Sequence, residues 1–237
     1  MTNSIKSTVL KRRDFIKAIG MGTAALAFSG CSGGKREDKT AGVIDRPNVL
    51  FISIDDLNDW IEPLGGHPQA KTPYLKRLAR SAVNFTNCFC ASPACNPSRT
   101  ALLTGIHTYN SGLYSNYQVW REVLPDAQTL PKYFSDHGYW SAGAGKIFHN
   151  NMPDPRSWDD YFPSKEKHMP GYFRPKPGET VNMPYFLNMY RDFDWSPIEI
   201  PDEKTGDYKS VSWVISQLHR EHPKPFFLAC GIYRPHV

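Results

Sequence analysis

Val49-Leu50-Phe51-Ile52-Ser53-Ile54 is a nearly unbroken apolar run of strand length, closed by the acidic pair Asp55-Asp56. It predicts a strand buried on both faces, with carboxylates at its C-terminal end. Phe226-Phe227-Leu228-Ala229-Cys230-Gly231-Ile232 predicts a second apolar strand. Tyr139 to Ala144 predicts another, delivering Gly145-Lys146, and Ala82-Val83-Asn84-Phe85 reads as a short one. Helical spacing appears in between. Thr72-Pro73 opens a helix through Ala79, with Pro at the first position. Pro97 to Leu103, stopped by Gly105, is a second helix and puts Cys95 at or just before its N-terminus. Leu130 to His137, closed by Gly138, and Asp207 to Glu221 are further helices. Residues 150–203, dense in Pro, Trp, Tyr and Asp, read as a long irregular insertion that shapes a pocket. Strand and helix in alternation predict an α/β fold, a mostly parallel sheet sandwiched by helices. Ligands of such sheets gather at the carboxyl ends of the strands. There is no internal repeat, coiled-coil pattern or transmembrane span.

Charge changes the picture only at the N-terminus. The chain has 237 residues and a formal charge of +5, but eight of its 28 Lys/Arg and three of its 23 Asp/Glu fall in residues 1–39, leaving 20 of each sign beyond. A balanced body gives no electrostatic case for nucleic acid. Residues 1–30 read as an export signal: Lys11-Arg12-Arg13-Asp14-Phe15-Ile16-Lys17 resembles a twin-arginine motif, and Ala18 to Gly30 is too short to span a bilayer. Leu26-Ala27-Phe28-Ser29-Gly30-Cys31 resembles a bacterial lipobox, which would leave Cys31 to take lipid and anchor the protein to a membrane. A periplasmic or outer-membrane lipoprotein is therefore expected. Residues 31–44 form a polar tether, and the folded body runs from 45 to 237. Cys88, Cys90 and Cys230 are an odd set for an exported protein, and Cys88 and Cys90 are too close to favour each other.

Adjacent carboxylates after a buried strand repel one another, and a divalent cation cancels that repulsion. Asp55 and Asp56 are thus candidate ligands for a hard metal, Ca²⁺ or Mg²⁺, although Asp is also common in turns and caps. Cys95 at a helix N-terminus would be a thiol of lowered pKa, a nucleophile in its own right.

The run Cys95-Asn96-Pro97-Ser98-Arg99-Thr100-Ala101-Leu102-Leu103-Thr104-Gly105 resembles the signature of the type I, formylglycine-dependent sulfatases. Gly145-Lys146-Ile147-Phe148-His149, with two residues between the Lys and the His, is similar to the iduronate-2-sulfatase-like branch. Tyr233-Arg234-Pro235-His236 resembles the family's segment carrying a sulfate-binding or proton-donating histidine. The resemblance implies an alkaline phosphatase/sulfatase-like fold and hydrolysis of sulfate esters on a sulfated glycan. It implies that a maturase oxidises Cys95 to formylglycine, whose hydrate attacks sulfur while bound to the metal and later expels sulfate. Asp55, Asp56 and residue 95 would hold Ca²⁺, or Mg²⁺, and Arg99 would stabilise the hydrate's oxyanion. Lys146 would contact nucleophile and sulfate, with His149 and His236 handling protons.

The resemblance covers Arg46 to Val237, the N-terminal part of such a catalytic domain, and lacks the family's later metal ligands and second lysine. The 237 residues alone are therefore expected to be inactive and marginally folded, with the strand ending at Ile232 deprived of neighbours. Two other functions fit part of the pattern. A phosphatase or phosphonate hydrolase of the same superfamily would share the sheet and metal ligands, though these usually carry Ser or Thr where this chain has Cys95. A noncatalytic, sulfated-glycan-binding lipoprotein would have no need of Cys95, Pro97, Arg99, Lys146 and His236 together.

Overall fold

The computed structural model describes residues 46–149, 152–171, 197 and 199–236, all within one compact unit. The export signal, Cys31, the tether and most of the aromatic insertion lie outside the described residues. Four strands, β1 (Val49–Ile54), β2 (Trp140–Gly145), β3 (Asp160–Phe162) and β4 (Phe226–Ile232), form a sheet in the order β1-β4-β2-β3, every pair parallel. The helices are α1 (Pro73–Ala79), α2 (Cys95–Thr104), α3 (Thr108–Ser111), α4 (Trp120–Val123), α5 (Leu130–Asp136) and α6 (Gly206–Leu218).

Side chains on β4 alternate between two cores, as the period of a strand requires. Phe227 and Ala229 join Leu103 of α2, Trp120 of α4 and Phe134 of α5 on one face. Phe226, Leu228 and Cys230 join Val211 and Val214 of α6 on the other. Phe227 and Leu228 are 1% and 0% exposed, and burying each contributes about 2 kcal/mol. In α2 the buried positions Asn96, Arg99, Thr100 and Leu103 follow helical spacing, and Gly105 ends the helix at φ 72°, a left-handed conformation that glycine adopts without strain. Thr129 caps α5 and Thr205 caps α6, each accepting a backbone N–H three residues on.

Several elements depart from expectation. Residues 82–85 are not a strand, and Val83 and Phe85 are 79% and 73% exposed. β1 is buried on one face only: Val49 and Phe51 pack into the core, while Leu50 and Ile52 are 44% and 52% exposed. The cause is position, because among the described residues β1 is a sheet edge and α6 packs over β2 and β4. β4, expected to lack neighbours, is an interior strand, paired with β1 on one side and β2 on the other. Residues 160–162, inside the stretch read as irregular, form β3 against β2.

Candidate active site

Three loops leave the carboxyl ends of β1, β2 and β4, and the N-terminus of α2 faces them. Asp55 follows β1 directly, and its N–H donates to Ile232 O at 2.9 Å, prolonging the ladder. Lys146 follows β2 and donates its N–H to Gly231 O at 2.9 Å. That turn depends on two glycines. Gly145 has φ 78°, and a Cβ there would lie 2.0 Å from Gly231 O; a Cβ on Gly231 would lie 2.3 Å from the Lys146 carbonyl carbon. With both positions bare, the Lys146 side chain, 1% exposed, turns into the site.

Arg99 ties these loops together. Its Nη2 donates to Asp55 Oδ1 at 2.7 Å, and its Nη1 donates to Lys146 O and to Ile147 O, the latter at 3.0 Å. Lys146 Nζ forms an ion pair with Asp55 Oδ2, which otherwise has no hydrogen-bond partner, and sits 3.8 Å from Cys95 Sγ. Burial alone would raise the Asp55 pKa, but Arg99 and Lys146 together hold the carboxyl below its ordinary value. One carboxylate facing two buried cations leaves surplus positive charge, which favours an anionic substrate.

Cys95 is the first residue of α2 and is half-buried. Hydrogen bonding from His149 and then from His236 lowers its thiol pKa to about 6, against the upward push of burial and with help from Lys146. His149 Nδ1 is buried without a hydrogen-bond partner. His236 Nε2 lies 3.9 Å from Asp55 Oδ2, and its ring stacks on Tyr233 at 4.9 Å. Tyr233 in turn presents its ring face to Lys146 Nζ at 4.6 Å.

Asp55, Arg99, Lys146, His149 and His236 are thus brought around Cys95. Asp56 stands apart, exposed, with φ 57°, a left-handed conformation Asp tolerates better than most residues. Three donors, on Asp55, Cys95 and His236, lie within 4.8 Å of one another, a cluster that could hold a cation. The buried, underused Asp55 Oδ2 fits that role. Among the described residues Cys88, Cys90 and Cys230 are free thiols. The remaining histidines stay out of the site; His168, for example, is buried against Tyr161, and burial lowers its pKa to about 4.

Two supports were not foreseen. Asp207, in the first turn of α6, accepts Tyr233 N–H at 2.8 Å and Arg234 N–H at 2.9 Å, fixing the segment that carries His236. In sequence Asp207 looks like an ordinary acidic residue complementing a helix N-terminus. Asn96 is 1% exposed and donates its N–H to Asn116 Oδ1 at 2.8 Å, so a distant loop caps the helix that carries Cys95.

A family model described as Sulfatase matches residues 47–237. The chain belongs to the sulfatase family. Among curated relatives it is 35% identical over 219 residues to a sulfatase of Formosa agariphila, covering 82% of this chain and 40% of that one. It is 31% identical over 213 residues to human iduronate 2-sulfatase, covering 85% and 37%. The chain therefore spans about two fifths of the length of these relatives. A structure solved with its substrate D-glucosamine-2-N,6-O-disulfate aligns with TM-score 0.57 at 23% identity, over 81% of this chain and 35% of that one. The phosphonate monoester hydrolase of Silicibacter pomeroyi aligns with TM-score 0.57 at 22% identity, over 81% and 42%. At such identities these two structures share the fold.

Proposed function

We propose that the protein is a sulfuric ester hydrolase that removes sulfate from a sulfated carbohydrate, with formylglycine made from Cys95 as its nucleophile. Convergence of Asp55, Lys146, His149 and His236 on Cys95 Sγ, with Arg99 tied to Asp55 and to the Lys146 turn, in a chain of this family, carries the proposal. The similarity to iduronate 2-sulfatase supports a sulfated sugar as substrate. When bound, a divalent cation, Ca²⁺ or Mg²⁺, held by Asp55 and residue 95, would supply Lewis acidity to the sulfate ester.

The chain's own residues do the rest. Arg99 orients Asp55 and, through two carbonyls, the turn that presents Lys146. The Lys146 ammonium, desolvated beside residue 95, binds a sulfate oxygen and offsets charge developing there. His149 holds the proton of the nucleophilic hydroxyl, and His236 donates one to the departing sugar oxygen. Export through the twin-arginine-like segment, with lipid attached at Cys31, belongs to the same proposal.

Maturation and reaction are tested separately on the intact gene product. Mass spectrometry of the peptide containing residue 95, after expression with a maturase, should find the aldehyde; an unchanged thiol in protein from the native host would sink the proposal. Competing assays with an aryl sulfate and an aryl phosphonate should favour the sulfate. The reverse preference would assign the site to phosphonate ester hydrolysis, as the structural neighbour's activity suggests.

A further inference from the structure

Residues 113–120 form an arch with both feet buried, Leu113 being 0% and Trp120 1% exposed. Trp120 stacks on Phe148, the neighbour of His149, at 5.4 Å. Midway, Asn96 holds the arch from beneath, its Nδ2 donating to Ser115 O at 3.0 Å and Gln118 O at 2.8 Å. Gln118 braces it from within: its Oε1 accepts the N–H groups of Tyr114 and Ser115 at 2.8 and 2.9 Å, and its Nε2 donates to Gly112 O at 3.0 Å. A buried asparagine and a glutamine are thus committed to fixing the backbone of one surface loop. The loop displays apolar groups: Tyr114 is 61%, Val119 42% and Tyr117 94% exposed. A ring exposed to that extent on an anchored backbone contributes almost nothing to packing within these 237 residues.

Its position relative to the nucleophile follows from the Asn96–Asn116 hydrogen bond. Counting bonds through that contact puts Tyr117 Cα within about 12 Å of Cys95 Cα. We infer that Tyr117, flanked by Tyr114 and Val119, is a platform on which a pyranose ring of a sulfated saccharide rests while its ester lies at residue 95. The assignment rests on the hydrolase proposal above. A pyranose offers an apolar C–H face rimmed by hydroxyls, and tyrosine offers an apolar face with a polar tip. Because the backbone is already fixed, little order remains to be imposed on binding.

Calorimetric titration of the intact gene product carrying Cys95→Ala, with a panel of uronate–hexosamine disaccharides monosulfated at different positions, tests the platform without requiring turnover. Tyr117→Ala in that background should weaken binding by about three- to tenfold, as loss of an aromatic contact predicts. Tyr117→Trp should bind at least as tightly as the parent, and neither change should move the melting temperature. Equal affinity of the Ala variant and the parent would overturn the platform, and so would failure of every disaccharide to bind. Tyr117-dependent binding alongside a wild-type protein that releases no sulfate would sink the hydrolase proposal and leave the platform standing. Sulfate release with Tyr117-independent binding would do the opposite.

Discussion

Replacing Asp55 with Asn removes the one carboxylate that Arg99 and Lys146 share. The two cations are 7% and 1% exposed in their side chains, so neither can turn to water for compensation. Breaking a buried ion pair from one side costs about 3–5 kcal/mol, mostly because a charge is left desolvated and unpaired. For a unit of this size each kcal/mol moves the midpoint of thermal unfolding by about 2–4 °C, so a fall of about 6–20 °C is expected. Adding Lys146→Met to Asp55→Asn should recover part of the loss, since it deletes one of the stranded charges. Scanning calorimetry of Asp55→Asn, Lys146→Met and the double variant, with chelator present, reads this directly. Acid supplies a second check. The Asp55 pKa is lowered in the folded state, so its stabilisation is fully present above the unfolded carboxyl pKa of about 4 and is lost as pH falls through the lower folded value. Asp55→Asn should lack that part of the acid transition. A double variant less stable than Asp55→Asn by the full cost of Lys146→Met would refute the claim that these charges depend on one another.

Unmodified protein should show Cys95 alkylated by iodoacetamide with a midpoint of about pH 6, set first by His149, while burial raises the Cys230 pKa to about 11 and keeps it silent at neutral pH. His149→Ala should move the Cys95 midpoint upward; an unmoved midpoint would remove His149 from the site. Gly231→Ala puts a methyl group 2.3 Å from the Lys146 carbonyl carbon, so loss of soluble protein or a destabilisation of about 3 kcal/mol is expected, and wild-type urea unfolding would contradict the close approach. Asp207→Ala removes the acceptor of the part-buried Tyr233 N–H and of the exposed Arg234 N–H, at about 1 kcal/mol, and should speed amide exchange at those two positions ahead of β4. Unchanged exchange there would show that Asp207 does not hold the His236 segment.

The β1, β2 and β4 strands and four helices were legible in sequence because each is a run with one period and clear punctuation: Asp55 after β1, Gly105 after α2, Gly138 after α5. Residues 82–85 misled because Val and Phe suit a strand by propensity, whereas pairing depends on a neighbour that this segment does not have among the described residues. The edge position of β1 was hidden for a related reason, since strand order is set by contacts such as Val49 with Phe227, far apart in the chain. At the site, the residue types of Asp55, Cys95, Arg99, Lys146, His149 and His236 pointed to one chemistry before their geometry was known. Asp207 and Asn96 carried no comparable signal. Asp207 accepts backbone N–H groups of Tyr233 and Arg234, and Asn96 donates its side-chain amide to the carbonyls of Ser115 and Gln118; such bonds to the backbone of other segments leave no mark on composition or spacing.

The interior strand that joins β1 to β2 is also the last of the four to leave the ribosome. Until residues 226–232 emerge, β1 and β2 have no common partner, and the loops bearing Asp55 and Lys146 lack the Ile232 and Gly231 carbonyls that receive their N–H groups. A nascent chain stalled before that point would carry Asp55, Cys95, Arg99, Lys146 and His149 and still have no assembled centre. Its two unsatisfied strand edges would instead be open to other chains, which makes the interval before residue 226 the period of greatest need for a chaperone.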